Sequence, residues 1–128
     1  MLFRSVSQSR YTIIQSSGSA YTEIWTNGNL SDERLKENIN VITGSLNKIK
    51  QIRGVTYNWI DKNKGTSQEI GVIAQDLLPV LPQLVVENNS YYSVNYLKLA
   101  PVLIEAIKEQ QTIIENLKSR IETLENNK

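Results

Sequence analysis

The chain has 128 residues, 40% of them apolar, with 14 basic and 13 acidic side chains and a net charge of +1. That length holds one modest domain, or a small domain with an extended element, and the near-neutral balance gives no electrostatic basis for partnership with nucleic acid or an anionic membrane. Cysteine and histidine are absent, which excludes disulfides, thiolate and imidazole metal sites, and cysteine nucleophiles; with the carboxylates scattered, no metal and no cofactor is expected.

No stretch approaches the ~20 apolar residues that span a bilayer, and the first fifteen residues lack the apolar core and small-residue cleavage site of a secretory signal. The opening residues also lack a cap or turn, so they are expected to continue an upstream chain. Arg10-Tyr11-Thr12-Ile13-Ile14-Gln15 and Ala20-Tyr21-Thr22-Glu23-Ile24-Trp25 read as two strands, separated by Ser16-Ser17-Gly18-Ser19 and closed by Asn27-Gly28-Asn29. Two short strands do not hold together alone in water. They call for the rest of a larger chain or for further copies.

After Leu30 the period changes. Leu35, Ile39, Ile42, Leu46 and Ile49 recur at helical spacing, with Ser31 or Asp32 placed to cap the start and Gly44 to break the run. Gly54–Ile60 reads as a strand and 61–67 as a polar turn. Glu69 to about Ile73 reads as a strand passing into a short helix stopped near Pro79 and Pro82. Leu84–Glu87 and Tyr91–Val94 flank Asn88-Asn89-Ser90 as a hairpin. Gly65 and Gly71 are turn and strand glycines, because no Gly-Lys-Ser/Thr follows to make a phosphate loop. Trp25, Tyr57, Trp59, Tyr91, Tyr92 and Tyr96, set in strands, are read as packing or subunit contacts.

From Asn95 to about Glu125 the pattern is one long helix, with Pro101 near its first turns. Ile107, Ile114 and Ile121 take the a positions of a heptad seam, and Leu103, Gln110, Leu117 and Leu124 the d positions. Isoleucine at a with leucine at d leans towards a parallel dimer, with a trimer as the alternative. The class is therefore α+β: short strands and hairpins with helices, ending in a long coiled-coil helix.

Chemistry concentrates at Ser31 and Lys36. A serine hydroxyl becomes a nucleophile when a neighbouring base takes its proton, and a lysine amine serves when burial or a nearby cation favours its neutral form. Arg34 is such a cation, and a helix N-terminus would offer N–H groups to an oxyanion. The scissile bond would be Leu30–Ser31 or its immediate neighbour. The plain alternative is an N-cap serine and a solvated lysine. On an ideal helix a separation of five residues is about 140° around the axis, so the two side chains meet only if Ser31 folds back from outside the helix, or if they come from different subunits.

Four blocks in order, Ser31-Asp32-x-Arg34-Leu35-Lys36-x-Asn38-Ile39, Gly54-Val55-Thr56-Tyr57-Asn58-Trp59, Gly71-Val72-Ile73-Ala74-Gln75-Asp76 and Val94-Asn95-Tyr96 before a long helix, closely resemble the C-terminal intramolecular chaperone domain of bacteriophage tail spikes and fibres. This is the peptidase S74 family, found also in endosialidase tailspikes, neck appendages and the myelin regulatory factor. The resemblance covers about residues 31–125. It implies an intertwined homotrimer that folds the upstream β-rich fibre of the same chain and releases itself by self-cleavage, with Ser31 matching the cleaving serine and Lys36 its dyad lysine. It implies supporting roles for Asp32, Arg34 and Asn38, and places Gln75 and Asp76, of the Gly71–Asp76 block, near the cut. Residues 1–30 would be the end of the fibre and 31–128 the chaperone. The precursor would assemble in the host cytoplasm, and the mature fibre would lack the cleaved domain. A non-cleaving oligomerisation cap is the alternative. The autoprocessing segment of a membrane-tethered transcription factor shares the motif but requires DNA-binding and transmembrane segments that this sequence does not show.

Overall fold

The computed structural model describes residues 30–127; the two strands expected within residues 10–25 lie outside the described residues. The chain divides into two units, Met1–Asn40 and Val41–Lys128.

In the first unit the helix expected from Ser31 onward does not form. A single 3-10 turn, Glu33–Leu35, gives way to extended backbone at Lys36 (φ −122°, ψ 150°). Asn38 then adopts a left-handed φ of 54°, and its carbonyl accepts a hydrogen bond from Asn40 Nδ2 at 2.8 Å. The physical reason is twofold. Asn38, Asn40, Val41 and Thr43 are weak helix formers whose side chains favour other backbone states. Leu35, Ile39 and Val41 stay exposed, so no packing of an apolar face rewards the helical spacing.

The second unit opens with the break expected at Gly44, whose φ of 67° leads into helix α1 (Ser45–Ile49). Strand β1 (Gly54–Tyr57) pairs antiparallel with β2 (Glu69–Val72), Thr56 opposite Ile70. The strand ends at Tyr57, short of the expected Ile60. Trp59 instead turns to meet the Tyr57 ring edge-on at 5.3 Å, with Lys64 4.9 Å above its own ring. Asp61 then caps a 3-10 turn, Lys62–Lys64.

β2 runs into helix α2 (Ala74–Leu77), which ends before Pro79. Strands β3 (Val85–Asn88) and β4 (Tyr91–Val94) form the second antiparallel hairpin. Its turn residues Asn89 and Ser90 both have positive φ, 48° and 69°, as a two-residue turn matched to strand twist requires. Helix α3 (Leu99–Asn126) is 28 residues long. It starts at Leu99 rather than Asn95, because Tyr96–Lys98 form a 3-10 turn first. Pro101 then falls in the first turn, where its missing N–H has no intrahelical acceptor to leave unpaired.

The core is small. Leu77, Leu81, Leu84 and Val102 are buried together, with Ile42, Ile49, Ile52, Val72, Val94 and Leu99 packed around them. It joins α2 and the turns after it to the base of the second hairpin and the first turns of α3. Beyond Glu109 every described residue of α3 is exposed. The class is α+β with two small hairpins and a long C-terminal helix.

Candidate functional site

Lys36 Nζ lies 2.6 Å from Ser31 Oγ. The 3-10 turn makes this possible. Its two backbone bonds, Leu35 N–H to Asp32 O and Lys36 N–H to Glu33 O at 3.1 and 3.0 Å, bend the chain tightly. The extended backbone at Lys36 then lets the side chain reach back to Ser31 within one chain. The α-helical angle that separates these positions does not apply, because no α-helix is present. The helix N-terminus expected to hold an oxyanion is likewise absent.

Asp32 builds the turn. Its Oδ1 accepts the Arg34 backbone N–H at 2.9 Å, capping the turn from the front. The Arg34 guanidinium folds over the same carboxylate, Nε to Oδ1 at 3.1 Å and the terminal nitrogen to Oδ2 at 2.8 Å. The side-chain hydrogen bond from Arg34, and then the backbone one, hold the Asp32 carboxyl below its usual range. Leu30, Ser31 and Lys36 are all exposed, and Asn38 marks where the backbone reverses handedness.

Gln75 and Asp76 belong to the second unit. Gln75 is exposed on α2. Asp76 pairs with Arg53, Nε at 2.8 Å and the terminal nitrogen at 3.0 Å, and also accepts the Arg53 backbone N–H at 3.3 Å. Its carboxyl is lowered chiefly by the Arg53 side-chain bond. Asp76 thus ties the entry of β1 to α2. Among the described residues no cluster of acidic side chains could hold a metal, and no helix is long and apolar enough to cross a membrane.

Residues 31–86 match the family model of peptidase S74, described as chaperone of endosialidase. These residues belong to this family. The match opens on Ser31 itself and takes in the Ser31–Lys36 turn, the first hairpin and α2, whereas α3 lies beyond it. The chain is also similar to long tail fiber proteins Gp37. It is 32% identical over 98 residues to that of Enterobacteria phage K3, covering 71% of this chain and 8% of the relative. To that of Enterobacteria phage M1 it is 33% identical over 101 residues, covering 73% of this chain and 40% of the relative. The chain therefore spans less than half the length of these tail fibre relatives.

Three partners in the second unit escaped the sequence reading. Arg53 holds Asp76. The Tyr96 hydroxyl accepts the Val72 N–H at 3.1 Å, joining two motif blocks. Glu109 accepts the N–H groups of Ser45 and Leu46 at 3.0 and 2.8 Å, capping α1 from α3. Only Glu109 left a trace in sequence: with Val102 and Ala106 it shares a helix face at 4-3 spacing, an acid at the end of a buried stripe.

Proposed function

We propose that residues 31–128 act as an intramolecular chaperone that assembles as a homotrimer, folds the β-rich fibre preceding it, and frees itself by cutting Leu30–Ser31. The observation that carries the proposal is the 2.6 Å contact between Ser31 Oγ and Lys36 Nζ, set directly after the bond to be cut. Ser31 Oγ attacks the Leu30 carbonyl carbon as Lys36 takes its proton. The C–N bond then breaks, the proton passes to the departing Ser31 nitrogen, and Leu30 is held as an ester on Oγ. Water hydrolyses that ester, leaving a Leu30 carboxylate and a free Ser31 hydroxyl. The site has one substrate and one turnover.

The exposed stripe on α3 supports assembly. Leu103, Ile107, Ile114, Leu117, Ile121 and Leu124 all face solvent in the single chain, as do the flanking Ile104 and Ile113. After Glu109 about 25 Å of helix has none of the other described residues packed against it. A stripe broadened beyond a and d suits a helix packed in a bundle more than one along a strict coiled-coil seam. Joining the C-terminal ends places three fibre strands at high effective concentration and sets their register, which a slip of one residue would invert. Cleavage then removes the template, and the fibre is held kinetically. Assembly would precede incorporation into the virion, from which the chaperone is released.

Exposure of Ser31 and Lys36 favours one other reading, a trimerisation cap that never cuts, since none of the described residues shields the amine from water. Intact mass during incubation separates the two. The chaperone reading expects a fragment beginning at Ser31, lost in Ser31→Ala and strongly slowed in Lys36→Ala. A verified trimer that stays whole would leave only the cap.

A further inference from the structure

We infer that Arg34 is a positioning residue: it occupies the Asp32 carboxylate so that Lys36 stays on Ser31. The inference rests on the Ser31–Lys36 reading and concerns how that contact is kept.

Asp32 stands next to Ser31 in the chain and four residues before Lys36. Such a carboxylate is the natural partner of a lysine ammonium, and pairing with it would draw Lys36 off the serine hydroxyl. Both carboxylate oxygens are instead engaged by Arg34. Oδ1 takes the backbone N–H at 2.9 Å and Nε at 3.1 Å, while Oδ2 takes the terminal nitrogen at 2.8 Å and Nε at 3.3 Å. The planar fork of a guanidinium matches a carboxylate edge in a way a lysine point charge does not.

The Arg34 side chain is 88% exposed, and exposed ion pairs contribute little to stability. Its engagement with Asp32 is therefore poorly explained as a fold-stabilising contact. The pair has two effects at once. It closes the turn that brings Ser31 and Lys36 to 2.6 Å, and it engages the carboxylate adjoining the serine in the chain. Glu33, the other acid of the turn, is exposed and leaves Arg34 to Asp32.

The test is single-turnover cleavage of the full chain, followed by intact mass, with sedimentation confirming that each variant assembles as the parent does. Arg34→Ala frees the carboxylate and is expected to slow cleavage about 10- to 100-fold, the range a misplacement of about 1 Å produces. Asp32→Ser in the Arg34→Ala background keeps a capping oxygen but removes the charge, and is expected to recover most of the lost rate. A purely structural role predicts the opposite, since the second substitution would only add damage. Cleavage by Arg34→Ala at the parent rate, or a double variant no faster than Arg34→Ala, overturns the inference while leaving the Ser31–Lys36 reading standing. A parent chain that never cuts overturns both.

Discussion

A methyl group on Gly71 would stand 2.5 Å from the Tyr96 hydroxyl and 3.3 Å from Cε1 of Tyr57. Tyr96 lies across β2 at this point, and its hydroxyl accepts the Val72 N–H only because Gly71 has no side chain. The third and fourth motif blocks are thus one latch, fastening the first hairpin to the entrance of α3. Gly71→Ala is expected to cost about 1–3 kcal/mol through overpacking, read from urea unfolding. In a Tyr96→Phe background the cost should shrink, because the nearest atom is gone; equal costs in both backgrounds would show that the clash is not with the hydroxyl.

Glu109 caps α1 across the unit. Gly44, at the N-cap position, supplies no side chain for this purpose, so the Ser45 and Leu46 N–H groups depend on the acid from α3. Glu109→Ala should destabilise by about 1–2 kcal/mol, in the range of a lost N-cap, and speed hydrogen exchange at Ser45 and Leu46 ahead of the rest. Glu109→Gln, which keeps one carbonyl acceptor, should fall between.

Ser45 behaves differently. Its side chain is fully buried, and its Oγ has no hydrogen-bond partner among the described residues. An unpaired buried hydroxyl carries a desolvation penalty with no return. Ser45→Ala is therefore expected to leave stability unchanged or raise it, and a loss above about 1 kcal/mol in thermal unfolding would contradict this.

The Arg53–Asp76 pair gives the second unit an acid-sensitive joint. Asp76 is held below its usual range by Arg53, so the unfolded chain binds a proton there more readily than the folded one. The joint's contribution is present in full above the ordinary carboxylate value of about 4, and it is lost as pH falls through the lowered folded value. Thermal melts from pH 7 downward should show a smaller acid loss in Asp76→Asn than in the parent. Identical pH profiles would remove the joint from the account.

Assembly is expected to depend on α3 beyond Glu109 and the core to be independent of it. Ile114→Asp places a charge in the proposed seam and should abolish the oligomer by sedimentation, while Leu77, Leu81, Leu84 and Val102 stay packed and the far-ultraviolet spectrum keeps its hairpins. Retention of the oligomer would mean that another surface joins the chains.

Local patterns were enough to read most of the elements from the residues themselves. The Asn89-Ser90 turn, the stop at Pro79, the break at Gly44 and the long heptad helix each follow from a backbone preference or a period that acts within a few residues. The four motif blocks were equally plain, and they carried the family before any fold was known. The segment Ser31–Thr43 was read as helix because apolar residues recur there at helical spacing, yet period specifies structure only where a buried face rewards it, and Leu35 and Ile39 have none. That difference decided the site. A helix would have held Ser31 and Lys36 apart, whereas a capped 3-10 turn followed by extended chain brings them together. The partners of Asp76, Val72 and Ser45 were likewise hidden from the sequence. Arg53, Tyr96 and Glu109 lie 23, 24 and 64 residues away from them, a range over which spacing carries no information and only packing chooses.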